Sequence, residues 1–130
     1  MRSYFLKYFL AAERIEMNVD IQPEKDVITV KISGELNRQT VPDLQDKLLP
    51  LISTGCKILM DMRDVSYISS AGLRVFLLIY RQVDHEHGRI VLTGLQEMIH
   101  DTMSITGFLD FFQTYPTVAE GLNALKQPAF

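Results

Sequence analysis

Residues 64–74 read Asp64-Val65-Ser66-Tyr67-Ile68-Ser69-Ser70-Ala71-Gly72-Leu73-Arg74, and within them a strand pattern ends, small hydroxyl residues crowd together and a strongly apolar helix pattern begins. Two serines before Ala-Gly start a helix without steric crowding. Such a start gathers unpaired backbone N–H groups and the positive end of the helix dipole. A phosphate or a partner's acidic group is stabilised there.

Just upstream, Lys57-Ile58-Leu59-Met60-Asp61-Met62 is a short, mostly apolar run, as expected of a central strand covered on both faces. Downstream, Leu73, Phe76, Leu77 and Tyr80 mark one helix face, while Val75, Leu78 and Ile79 form a second apolar side. One sheet does not cover both, so the N-terminal segment or a partner is expected over the second side, or it stays partly exposed. Asp84-His85-Glu86-His87-Gly88 ends this helix; its His-x-His spacing matches no zinc pattern and reads as a polar helix terminus.

Further out on the N-terminal side, Val19 to Gln22 suits a short strand and Pro23-Glu24-Lys25-Asp26 a polar turn. Val27 to Ile32 alternates, with Ile28, Val30 and Ile32 on one face, which predicts a half-exposed strand paired as a hairpin with the one before it. Ser33 to Asn37 is expected to continue into a loop. Thr40 and Asp43 have the form of a capping box for a helix from Val41, with Val41, Leu44, Leu48 and Leu51 or Ile52 as its apolar stripe. Pro50 loosens the last turn and Gly55 suits the stop.

On the C-terminal side, Arg89 to Gly94 reads as another buried strand, and Gln96 to Ile105 as a helix carrying Met98, Ile99, Thr102 and Met103 inward, with His100 on the surface. A turn from Gly107 leads into a short edge strand, and Thr117 caps a last helix whose buried side is Val118, Leu122 and Leu125. Helices between strands imply an α/β domain: a mixed, mostly parallel sheet with an antiparallel edge hairpin and about four helices, in a single layer pair.

With 130 residues, 47% of them hydrophobic and 22% charged, the chain suits one globular domain with a real core. A net charge of -3 and the lack of a basic stripe argue against nucleic acid as the main partner. Cys56 is the single cysteine, forms no internal disulfide and sits among apolar strand residues, which suits a buried, inert thiol in a reducing cytoplasm. No apolar run approaches the roughly 20 residues that span a bilayer. Residues 1–16 form an aromatic, slightly basic extension in which Lys7 and Glu13 spoil a signal peptide. They are a docking helix, a weak membrane-surface helix or sequence upstream of a start at Met17; the regular domain is residues 17–130.

Three stretches resemble the STAS domain of bacterial anti-sigma factor antagonists, and the likeness covers nearly all of Met17 to Leu125. Ser33-Gly34-Glu35-Leu36-Asn37 followed by Thr40 is similar to the family's small-Gly-Glu-Leu-Asp segment, with Asn37 where the family often has Asp. Asp64 to Ile68 and Ser70-Ala71-Gly72-Leu73 are similar to its motif of an aromatic, an apolar residue, Asp, Ser, Ser or Ala, Gly and Leu. Thr106-Gly107-Phe108-Leu109 is similar to a Ser-Gly-Leu element after the third helix.

The resemblance implies a transcription regulator that works by partner switching. In the family, the serine after the motif's Asp is phosphorylated by an anti-sigma factor that is also a serine kinase, and a PP2C-type phosphatase reverses this. The unphosphorylated form binds the anti-sigma factor and frees its sigma factor. By position the acceptor is Ser70, and Ser69, which stands where most members have Asp, is the competing site. The implied partner face is Asn37, Arg38, Thr40, Asp64, Tyr67, Ser69, Ser70, Ala71, Gly72 and Arg74. A homodimer through the N-terminal extension or the second helix is also open.

Two other classes compete. A STAS module that is never phosphorylated, in a stress-signalling assembly or a transporter complex, is favoured by Ser69 in the place of Asp and by the second apolar side of the helix after the serines. An enzyme is disfavoured, since the chain has no Gly-x-Ser-x-Gly elbow, no Gly-x-x-x-x-Gly-Lys loop and no triad spacing near the serines. Asp61 and Asp64 are expected to serve strand-end solvation and loop hydrogen bonding. No motif requires a nucleotide, a metal or another cofactor.

Overall fold

The computed structural model describes residues 17–24 and 26–128. The readings of the extension, residues 1–16, fall outside them. Strands β1 (Met17–Glu24) and β2 (Val27–Leu36) form the expected antiparallel hairpin, each longer than the alternation suggested. Its register pairs Val19 with Ile32 and Ile21 with Val30, which puts the apolar members of both strands on one face. β2 continues through Ser33 to Leu36 instead of leaving the sheet at Ser33, because those residues still pair with both neighbouring strands or with β3 alone.

Helix α1 (Val41–Leu48) follows, buries Val41, Leu44 and Leu48, and tightens into a 3-10 turn at Leu49–Leu51. Pro50 lies in that turn, where its missing N–H ends the α ladder. Strand β3 (Lys57–Ile68) occupies the middle of a five-stranded sheet of order β1-β2-β3-β4-β5. Helix α2 (Ser70–His85), strand β4 (Arg89–Thr93), helix α3 (Glu97–Ile105), a 3-10 turn at Phe108–Phe111, strand β5 (Gln113–Tyr115) and helix α4 (Val118–Lys126) complete the order. From β2 onward every strand pair is parallel.

Alternation along the strands divides the core. Val30, Ile32, Ile58, Met60, Met62 and Leu92 join α1, α2 and α3 in the large cluster on one face. Leu59 and Val91 point the other way and are covered by Leu125, with Val118 and Leu122 of α4 beside it. The expected single layer pair is therefore corrected. The chain after β5 folds back across the opposite face, and the sheet lies between two helical layers.

The second apolar side of α2 is partly exposed, one of the outcomes the sequence left open: Val75 and Ile79 are buried and Leu78 is exposed. α1 packs against α2, and Tyr80 of α2 meets Phe111 and Phe112 at ring distances of 5.5 and 5.6 Å. Two local expectations change. On α3, Ile99 and Met103 face the core at a four-residue spacing, which turns Met98 outward to 66% exposure. Asp61 is no strand-end residue; it lies within β3 and is buried at 4% exposure. Cys56 is buried and unpaired, and Thr117 caps α4 by accepting from the Glu120 N–H at 3.1 Å, both as read from sequence. No described helix is long and apolar enough to cross a membrane.

Gly121 lets α4 seat on the sheet. A Cβ there would stand 2.6 Å from Thr93 Cγ2 and 2.9 Å from Leu59 Cδ1. Gly121→Val is expected to destabilise the domain by about 2 kcal/mol through overpacking, measured as a lowered urea midpoint; an unchanged midpoint would show that α4 is not held at this distance.

Candidate functional site

The geometry of the site begins in the register of β2 against β3. Lys31 pairs with Asp61, Ser33 with Asp64, Gly34 with Val65, Glu35 with Tyr67 and Leu36 with Ile68, with irregularities between Lys31 and Ser33 and between Gly34 and Glu35. Each irregularity leaves one extra residue on β3, so β3 is bulged twice. Beyond Met62 the inward residues then recur every third position, as Met62, Val65 and Ile68, and the pairs Arg63–Asp64 and Ser66–Tyr67 turn outward. Tyr67 is 47% exposed as a result.

Asp61 anchors the first bulge. Its Oδ1 accepts from the backbone N–H of Arg63 at 3.2 Å and from Arg63 Nε at 3.3 Å, and its Oδ2 accepts from Nη2 at 3.2 Å. Hydrogen bonding to Asp61, and then its charge, raise the Arg63 pKa above the ordinary value. Asp64 faces solvent in a loose ion pair with Lys31 at 3.9 Å, a contact that contributes about 0–1 kcal/mol.

At the end of β3 the chain turns into α2 within two residues. The Ser69 N–H donates to the Leu36 carbonyl at 2.8 Å, a last link to β2. Ser69 itself is extended (φ -91°, ψ 175°), and its hydroxyl accepts from the Gly72 N–H at 3.3 Å, so Ser69 is the N-cap. Ser70 is the first helical residue and is exposed. Among the described residues its hydroxyl has no hydrogen-bond partner.

Gly72 makes this turn possible. A Cβ on it would lie 2.7 Å from Ile68 Cγ1 and 3.0 Å from the Leu36 carbonyl oxygen, so the first turn of α2 sits directly on the ends of β2 and β3. Arg74, one turn on, is exposed.

The loop after β2 is fixed by its own hydrogen bonds. Asn37 Oδ1 accepts from the N–H groups of Gln39 and Thr40 at 3.0 and 3.1 Å. Thr40 is buried, and its hydroxyl donates to the Glu35 carbonyl at 2.8 Å and accepts from the Asn37 N–H at 2.9 Å. The expected capping box therefore does not form. The backbone of Thr40 is already helical (φ -97°, ψ -28°), and its oxygen is used by the loop, not by α1.

Asn37, Arg38, Thr40, Tyr67, Ser69, Ser70, Ala71, Gly72 and Arg74 thus gather at the C-terminal ends of β2 and β3, with Asp64 farther back along β3. Sequence reading missed three parts of this end: the bulges, the buried Asp61 that holds one of them, and the Ser66 hydroxyl, which donates to the Gly34 carbonyl at 3.4 Å. The three-residue spacing of Met62, Val65 and Ile68 was the available signal.

The STAS domain family model matches residues 18–121, which takes in the whole of this site. The chain belongs to the STAS domain family. The anti-sigma-B factor antagonist of Bacillus subtilis is 34% identical over 96 residues, covering 74% of this chain and 88% of the relative. The anti-sigma factor antagonist SpoIIAA in its unphosphorylated form superposes with a TM-score of 0.73 at 16% identity, covering 87% of this chain and 100% of that one. The Bacillus cell-fate determinant SpoIIAA in the phosphorylated form gives 0.65 at 17% identity, covering 82% and 98%. A murine anion transporter, Solute Carrier 26 family member A9, contains the same fold (TM-score 0.77, 12% identity), with 92% of this chain matching 24% of the transporter.

The cap assignment in this STAS domain has a direct thermodynamic test. Ser69→Ala is expected to cost about 1 kcal/mol of stability and Gly72→Ala about 1–3 kcal/mol, while Ser70→Ala stays within about 0.5 kcal/mol of the parent. Urea unfolding measures all three, and a larger loss at Ser70 than at Ser69 would reverse the cap.

Proposed function

We propose that this STAS domain is an anti-sigma factor antagonist whose docking face surrounds Ser70. Unphosphorylated, it binds an anti-sigma factor serine kinase and releases the sigma factor. Phosphorylated at Ser70, it lets go, and a PP2C-type phosphatase restores it. It acts as the substrate of those enzymes and in the cytoplasm, where sigma factors work.

The observation that carries this reading is the division of labour between the two serines. Ser69 spends its hydroxyl on the cap, and Ser70, next in the chain, is exposed at the first turn of a 16-residue helix. Of the two candidate acceptors, Ser70 is therefore the one a kinase reaches without opening the cap. A phosphate there adds about -1.5 to -2 charges at pH 7 together with a shell of water. It would stand at the favourable end of the helix dipole and so be tolerated by the fold, while an interface closed over Ser70 would have to bury it. The antagonist SpoIIAA, similar in fold, exists in unphosphorylated and phosphorylated forms, which supports a modification that leaves the fold intact.

Ser69 in the place of the family's acid favours a second reading, a STAS module that docks without being phosphorylated. Incubation with the cognate kinase and ATP, followed by mass spectrometry, separates the two: phosphate on Ser70 supports the switch, and none on Ser69 or Ser70 leaves the docking module. For the switch, Ser70→Ala is expected to keep the affinity of the parent for the anti-sigma factor and Ser70→Asp to lose tenfold or more by calorimetry. Equal affinities of both variants for a verified partner would defeat the proposal.

A further inference from the structure

We infer that a phosphate on Ser70 is held by Arg74, so that modification both adds negative charge and withdraws a cation from the docking face. This rests on Ser70 being the acceptor. Ser70 and Arg74 lie four residues apart in α2 and both are exposed, which places them one above the other on the same helix face. The helix neighbours of Arg74 at three and four residues are Ser70, Ala71, Leu77 and Leu78, so Ser70 is its only polar neighbour at those spacings. Among the described residues, Arg74 makes no ion pair; the pairs that do form are Lys31–Asp64, Lys47–Asp43, Arg63–Asp61 and His100–Asp101.

The arrangement suits a phosphoserine better than a serine. An acid N-terminal to a base at this spacing is the stronger orientation, because it also follows the helix dipole. Arginine presents a fork of N–H donors that matches phosphate oxygens, which lysine does not. In the unphosphorylated chain the same guanidinium is open to an acidic group of the partner. After modification that group would meet a dianion whose nearest counter-charge is already engaged. Arg38, in the loop after β2, is another exposed cation at this end of the sheet.

The test installs phosphoserine at position 70 genetically, which makes it independent of any kinase. The full chain, Arg74→Gln and Arg38→Gln are each followed by phosphorus NMR as pH is varied. The clamp lowers the second ionisation of the phosphate, so Arg74→Gln is expected to raise that midpoint by about 0.3 unit and Arg38→Gln to leave it within error. A matching change of the Arg74 Nε–H resonance between the serine and phosphoserine proteins, absent for Arg38, accompanies it. No change in Arg74→Gln, or a larger one in Arg38→Gln, would overturn the clamp. Failure of a kinase to modify Ser70 would leave these spectra intact and would count against the switch alone.

Discussion

The close approach of α2 to the end of β2 is the contact on which the site depends. Leu36 offers its carbonyl to the Ser69 N–H, and Gly72 lies against that same carbonyl without a side chain to hold it off. The two contacts set where β3 stops, where α2 starts and which serine becomes the cap. Any side chain at position 72 has to move either a backbone oxygen or the buried Ile68 side chain. Both belong to strands in the packed interior, which yield little because cores are close-packed. The candidate site is therefore held in place by the same packing that stabilises the domain.

That rigidity bears on the proposed switch. Loops that change shape on modification need a second arrangement of similar free energy. Here the loop after β2 is closed by Asn37 and Thr40, and the corner after β3 by Ser69 and Gly72, with the hydrogen bonds satisfied inside each. A change confined to charge and bulk at one exposed hydroxyl suits a frame of this kind. Steric and electrostatic exclusion of a partner then needs no transmission through the fold.

Much of the frame was legible from residue patterns, because β2 and β3 are apolar in ways that only a strand explains and α2 begins at small residues. The hairpin, the parallel strands and the Thr117 cap follow from local chemistry. What was not legible depends on partners distant in sequence. The bulges of β3 exist only relative to β2, and Thr40 prefers the Glu35 carbonyl to a helix cap because β2 reaches Leu36. Asp61 was expected to serve strand-end solvation, because a buried carboxylate needs a partner and its partner, Arg63, lies on the outward side of the bulge that it helps to shape.

The unequal lengths of the strands have a further consequence. β3 runs twelve residues, but β4 pairs with only the first five of them, Lys57 to Asp61, so among the described residues the far half of β3 has no strand partner on that side. An edge in the middle of a sheet is an invitation to a stray strand from another molecule. Two features spoil the invitation: the bulges break the regular repeat that an incoming strand would have to match, and Gln96 donates its side-chain amide to the Arg63 carbonyl at 2.9 Å, taking the place of the missing strand. The irregularity that turns Tyr67 outward thus also makes this edge of β3 a poor template for another strand.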